Sequence, residues 1–214
     1  MKCDKKSMLL YAVTDRTWLK DKTLAMQVEE VLQGGVTFLQ LREKYMEDAE
    51  FLTEAKKIKE LCNKYKVPFV INDNVYFAII CDADGVHVGQ EDMEALDVRK
   101  KIGKDKILGV SVENVEQAIL AKKNGADYLG VGAMFSTSTK LDAYDVSKEE
   151  LKKICDSVSI PVVAIGGINE KNIMELKGTG VDGVAVISAL FAQKDIKVAT
   201  EKLRKLSEEM SKNY

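Results

Sequence analysis

Zinc and disulfide chemistry have little to work with in this chain. Its four cysteines, Cys3, Cys62, Cys81 and Cys155, are widely scattered without a CxxC pair, and His87 is the single histidine. That argues against a zinc site and a disulfide scaffold, and the cysteines read as reduced, mostly buried thiols. No apolar run is long enough to cross a bilayer. The opening MKCDKKSMLL lacks the apolar core and small-residue cleavage site of a secretory signal, so the expected location is the cytoplasm, with no membrane partner. Positive and negative charges nearly cancel at a net charge of -2, which argues against nucleic acid as a partner. Low-complexity and linker-like segments are absent too, so residues 1–214 are expected to form one domain.

What is present is alternation. Hydrophobic residues make up 46% and charged residues 31% of the chain, and they are segregated. Short runs rich in Val, Ile and Leu (MLLYAVT, TFLQLRE, PFVIND, GVHVG, ILGVSV, YLGVGAMF, PVVAIGG and GVAVIS) predict eight strands. Between them lie amphipathic stretches such as LAMQVEEVLQ, AEFLTEAKKIKELCNKY, VEQAILAKKNG, KEELKKICDSV and EKNIMELKG, and DIKVATEKLRKLSEEM follows the last strand. Several of these end in Gly or Asn, as a helix C-terminus does. Pro68 and Pro161 fall at the first position of their strands, where a missing N–H does least harm. Repeated strand–helix units of this length predict an α/β fold, a single parallel (β/α)8 TIM barrel with its active site at the C-terminal ends of the strands. A doubly wound open sheet is the alternative, but VTDRTW follows the first strand where a Gly-rich dinucleotide turn would be expected.

The segment Gln40-Leu41-Arg42-Glu43-Lys44 carries the strongest chemical signal, because strand alternation puts Gln40, Arg42 and Lys44 on one side. Two cations beside a glutamine at a strand's end suit an anion with several oxygens, such as a diphosphate. A solvated strand exit, with salt bridges to Glu43 or Glu47, is the competing reading. Asp73 and Asp92 follow the third and fourth strands. They would suit a diphosphate-bound magnesium ion, which takes one or two carboxylates, or they could instead cap the helices that follow. His87 reads as a packed or hydrogen-bonded residue among apolar neighbours and is given no part in the mechanism. The loop Phe135-Ser136-Thr137-Ser138-Thr139-Lys140 has a phosphate-binding composition. The segments around Gly166-Gly167 and Ile187-Ser188 match the place where such barrels hold phosphate on loop amides. Two phosphate stations imply two phosphorylated small-molecule substrates.

Taken in order, QLREK, IND, GVHVGQED, GVSV, ADYLGVGAMFSTSTK, IPVVAIGGI and VAVIS resemble the thiamin phosphate synthase family over nearly the whole chain. The resemblance implies a transferase of thiamin biosynthesis that condenses an aminopyrimidine diphosphate with a thiazole phosphate. It implies that Gln40, Arg42, Lys44, Asn72, Ser111 and Lys140 hold the pyrimidine diphosphate, with Arg42, Lys44, Lys140 and Ser111 catalytic. Asp73 and Asp92 would bind Mg2+, and Thr137, Ser138, Thr139, Gly167, Ile187 and Ser188 would cradle the thiazole phosphate. In the family the carbon–oxygen bond to diphosphate breaks first, and the thiazole nitrogen captures the resulting cation. Three positions depart from the family pattern: Asn74 for a frequent arginine, Glu113 for a common histidine, and Ser136 for a usual proline. Other readings on the same barrel are a thiazole tautomerase, a non-catalytic phosphate-metabolite sensor and a sugar-phosphate isomerase. The last would need an acid/base pair that is not evident here. The sequence also allows a homo-oligomer.

Overall fold

The Val-, Ile- and Leu-rich runs become eight short parallel strands: β1 (Leu10–Val13), β2 (Phe38–Leu41), β3 (Phe69–Asn72), β4 (Gly85–Val88), β5 (Ile107–Val112), β6 (Tyr128–Val131), β7 (Val162–Ile165) and β8 (Gly183–Val186). Each pairs with the next and β8 pairs back to β1, closing the barrel. This computed structural model describes residues 3–43, 45–136 and 146–212. Within them the expected TIM barrel is the observed fold.

Helices α1 (Leu24–Gln33), α2 (Asp48–Tyr65), α3 (Val75–Ile80), α4 (Ala95–Ile102), α5 (Val115–Lys123), α6 (Lys148–Ser157), α7 (Ser188–Phe191) and α8 (Ile196–Met210) follow the chain around the barrel. Their starts are fixed locally. Thr23, Asn74, Asn114, Ser147 and Asp195 each accept a first-turn N–H through the side chain. The outward faces of the strands and the inward faces of the helices form one apolar shell, while Met8, Tyr11, Val13, Phe38, Val70, Ile107, Tyr128, Val163 and Ala185 pack inside the barrel.

Differences from expectation are local. Pro68 and Pro161 stand one residue before β3 and β7, and their carbonyls accept the Leu39 and Leu129 N–H groups at 3.0 and 2.9 Å. The segment EKNIMELKG makes only a 3-10 turn over Ile173–Leu176. There the Asn172 side chain takes the Asn169 N–H at 2.8 Å, and Gly178 and Gly180 adopt positive φ, so the backbone is diverted from helix at both ends.

A repeated device closes the N-terminal rim. The residues just before β2, β4, β6 and β8 are Thr37, Asp84, Asp127 and Asp182, and their side chains accept the Leu10, Phe69, Leu108 and Val162 N–H groups at 2.8, 2.8, 2.8 and 3.0 Å. The N–H of each also bonds the carbonyl of that same partner residue. Strand ends that would otherwise leave orphan amides are thereby satisfied at the face that carries stability rather than chemistry.

Candidate active site

At the opposite rim the ends of β2 to β5 bring one group of expected residues together. Gln40 points into the barrel, 4% exposed, and donates from Nε2 to the Tyr11 hydroxyl at 2.5 Å. Arg42 lies just beyond the end of β2, with its N–H donated to Thr14 Oγ1 at 2.9 Å and its guanidinium 4.0 Å from Asp15. That long ion pair leaves the guanidinium able to meet an anion. Glu43, one of the two acids in the competing reading, pairs with Arg16 at 2.8 Å. A cavity of about 330 Å³ opens beside Arg42, lined by Asp15, Arg16, Thr17, Arg42, Glu43, Tyr45, Met46 and Glu50.

Asn72 ends β3 and donates from Nδ2 to Asp73 at 2.6 Å. Asp73 itself sits at φ 61, a left-handed conformation that turns the chain out of the strand. Neither candidate metal carboxylate caps a helix, so that alternative is set aside. The cap of α3 is Asn74, which accepts the Phe77 N–H at 2.9 Å, and Asp92 instead accepts the Gly89 N–H at 2.7 Å. The Asn74 departure thus has a structural use. Asp73 and Asp92 meet side chain to side chain, and burial together with the facing Asp92 pushes the Asp73 carboxyl up to about 7. Two acids held together at a cationic rim have the donor chemistry of a magnesium site completed by substrate oxygens and water. Among the described residues, no cluster of three or more acid, histidine or cysteine side chains forms a protein-only cage.

Ser111, near the end of β5, has its hydroxyl 2.9 Å from His87 Nε2, and its carbonyl accepts Gln90 Nε2 at 2.6 Å. His87 is buried and hydrogen-bonded, as expected. Val86 and Val88 take the apolar outward positions, and His87 faces the interior, with Nδ1 2.9 Å from the Tyr128 hydroxyl. Burial lowers its pKa to about 4, so the ring is neutral and hydrogen-bonded at both nitrogens. Tyr11 and Tyr128, whose hydroxyls meet at 2.8 Å, are polar residues that the sequence reading did not single out. Period-two alternation puts both on the inward face, but only the closed barrel shows that their hydroxyls meet.

The second group lies at the ends of β7 and β8. Gly167 adopts φ +64, and a Cβ there would lie 2.6 Å from the Phe135 and Ser136 carbonyl oxygens, so only glycine fits. Its carbonyl accepts the side-chain amides of Asn169 and Asn172 at 3.1 and 3.0 Å. Ile187 caps α7 and Ser188 opens it, and the Leu190 and Phe191 N–H groups both bond the Ile187 carbonyl at 3.0 Å. Of the other departures, the Glu113 N–H bonds Gln117 Oε1 at 2.7 Å and Ser136 is exposed. The expected site residues Lys44, Thr137, Ser138, Thr139 and Lys140 lie outside the described residues.

A family model described as thiamine monophosphate synthase matches residues 10–190. The thiamine-phosphate synthase of Ruminiclostridium cellulolyticum is 56% identical over 194 residues, covering 91% of this chain and 92% of that protein. That of Methanobrevibacter smithii is 51% identical, covering 92% and 93%. Among solved structures, the thiamine phosphate pyrophosphorylase of Pyrococcus furiosus superposes with a TM-score of 0.89 at 43% identity, covering 96% of this chain and 98% of that one.

Proposed function

The chain belongs to the thiamine monophosphate synthase family, and we propose that its barrel mouth joins an aminopyrimidine diphosphate to a thiazole phosphate, yielding thiamin phosphate and diphosphate. The observation that carries this reading is the meeting of Asp73 with Asp92 on the same rim as Arg42 and Asn72. A diphosphate leaving group calls for that combination of cation, amide and acid pair.

The reaction transfers the pyrimidine's methylene carbon. Its bond to the diphosphate oxygen breaks with the electron pair leaving on diphosphate, and the thiazole ring nitrogen supplies the pair for the new carbon–nitrogen bond. Arg42, with Lys44 and Lys140, neutralises charge growing on the departing oxygens, work that preorganised cations do well in a water-poor site. Magnesium held by Asp73 and Asp92 would add positive charge at the same oxygens. Gln40, Asn72 and Ser111 orient the pyrimidine end. Gly167, Ile187 and Ser188, with Thr137, Ser138 and Thr139, hold the thiazole phosphate through amides and hydroxyls. Fixing both partners in one pocket supplies the orientation component of catalysis, and no side chain need act as a nucleophile.

Four unpaired thiols fit a reducing compartment such as the cytoplasm. Among the described residues no helix is long and apolar enough to cross a membrane. The test is chromatographic: purified protein given both substrates should form thiamin phosphate. Isomerisation of a thiazole phosphate carboxylate without condensation would indicate a tautomerase instead, and ligand binding with no product a sensor.

A further inference from the structure

We infer that the hydrogen-bonded chain Gln40–Tyr11–Tyr128–His87–Ser111 runs in one direction across the barrel, holding His87 as the Nε2–H tautomer and presenting Ser111 to the substrate as a hydrogen-bond donor. Tyr11, Tyr128 and His87 are then positioning residues of the reaction. Their link to substrate rests on the function proposed above, whereas the direction of the chain does not.

The direction follows link by link from which atoms carry protons. The Gln40 Nε2 amide can only donate, so the Tyr11 oxygen accepts at 2.5 Å. Tyr11 therefore directs its own proton to the Tyr128 oxygen at 2.8 Å. Having accepted there, Tyr128 donates to its remaining neighbour, His87 Nδ1, at 2.9 Å. A neutral ring that accepts at Nδ1 carries its proton on Nε2, which donates to Ser111 Oγ at 2.9 Å. The Ser111 proton is then left for an acceptor in the mouth, either a phosphate oxygen or a pyrimidine ring nitrogen. A Gln40 amide turned to present its oxygen would invert every link and leave Ser111 an acceptor.

The surroundings are built for this chain. Tyr11 and Tyr128 are 1% and 0% exposed, in the interior where such barrels ordinarily pack Val, Ile and Leu. Space for them comes from glycine. A Cβ at Gly109 would fall 2.1 Å from Tyr128 Cζ and 2.5 Å from His87 Nδ1, and one at Gly130 would fall 3.3 Å from His87 Cε1. Apolar side chains of the same shape could be equally stable, so stability does not account for the chain. Its ends do: Gln40 on β2 and Ser111 on β5 both belong to the pyrimidine diphosphate station, and the chain ties their orientations together through the core.

Because His87 is the only histidine, 15N-histidine labelling reports on this ring alone. In the two-bond 1H–15N spectrum of the substrate-free protein, Nε2 should be protonated and Nδ1 bare. The reverse pattern, or protons on both nitrogens, overturns the proposal whatever the enzyme's activity. In Tyr11→Phe the fixed sense is lost, so the two nitrogen signals should move toward each other. Its kcat/KM for the pyrimidine diphosphate should fall roughly three- to tenfold, the scale of one net hydrogen bond, while the KM for thiazole phosphate holds. A folded Tyr11→Phe protein with unchanged nitrogen signals and unchanged pyrimidine kinetics also refutes it. Should the variant fail to fold, the wild-type spectrum still decides the direction. The expected spectrum in a protein that forms no thiamin phosphate would refute the functional reading alone.

Discussion

Asp73→Asn should make the metal-free protein more stable while removing its response to magnesium. In the native protein the Asp73 carboxyl is raised to about 7, by burial first and by the facing Asp92 next. An unfolded chain gives up that proton near pH 3.9, about the ordinary carboxylate value. The native state thus binds the extra proton, and stability from this group falls as pH rises from about 4 to about 7, then stays low. Asparagine does not titrate, so its advantage should grow across the same window and be complete above pH 7. Two like charges about 4 Å apart in water cost about 1 kcal/mol. The residue as a whole is exposed although its carboxyl is desolvated by its neighbours, so this hydrated value sets the scale, and for a chain of this length it corresponds to a melting-temperature rise of about 2–4 °C. Thermal melts with chelator at the acid and alkaline edges of the window measure the gain. The same melts with magnesium should raise wild type but not the variant, since a ligand that binds only the native state stabilises it. A variant that melts below wild type above pH 7, or that keeps the full magnesium shift, would refute the paired-acid account.

Three further substitutions separate fold from chemistry. Asp127→Ala strands the Leu108 N–H, now 2.8 Å from the carboxylate, and removes the 2.6 Å ion pair with Arg99, whose Nη2 keeps the Gly125 carbonyl at 2.8 Å; stability should fall by about 1–3 kcal/mol in denaturant melts while kcat is unchanged. Asn74→Ala removes the α3 cap and should cost about 1 kcal/mol in the same melts, leaving the KM for pyrimidine diphosphate as it was. Arg42→Ala should lower kcat/KM by about 10- to 100-fold, the scale of a hydrogen bond to a charged group, with melting close to wild type because its ion pair with Asp15 is long, at 4.0 Å.

The barrel was legible in the sequence because each strand is a short Val/Ile/Leu run with a strong signal, and the longer helices carried apolar periodicity and end signals. Helix α1 falls where its motif was read, at Leu24–Gln33. The helices not singled out, α3, α4 and α7, have 6, 8 and 4 residues, too short for a periodic face to stand out. On the rim, Gln40, Arg42, Asn72, Asp73, Asp92 and Ser111 could be proposed because strand ends in a barrel converge. What could not be read was pairing across the interior. Tyr11 and Tyr128 are 117 residues apart, and alternation gives only the side of the strand each faces. That His87 would be packed or hydrogen-bonded could be read, but its partners could not: its neighbours in sequence, Val86 and Val88, face outward, and its neighbours in space are Tyr128 and Ser111.

A magnesium-assisted transfer that releases diphosphate must yield two products together. With both substrates and magnesium, thiamin phosphate and diphosphate should appear in equal amounts, and both should fall to background with excess chelator and return when magnesium is restored. Equal product formation with chelator present would contradict the assigned role of Asp73 and Asp92, and diphosphate release without thiamin phosphate would contradict the transfer itself.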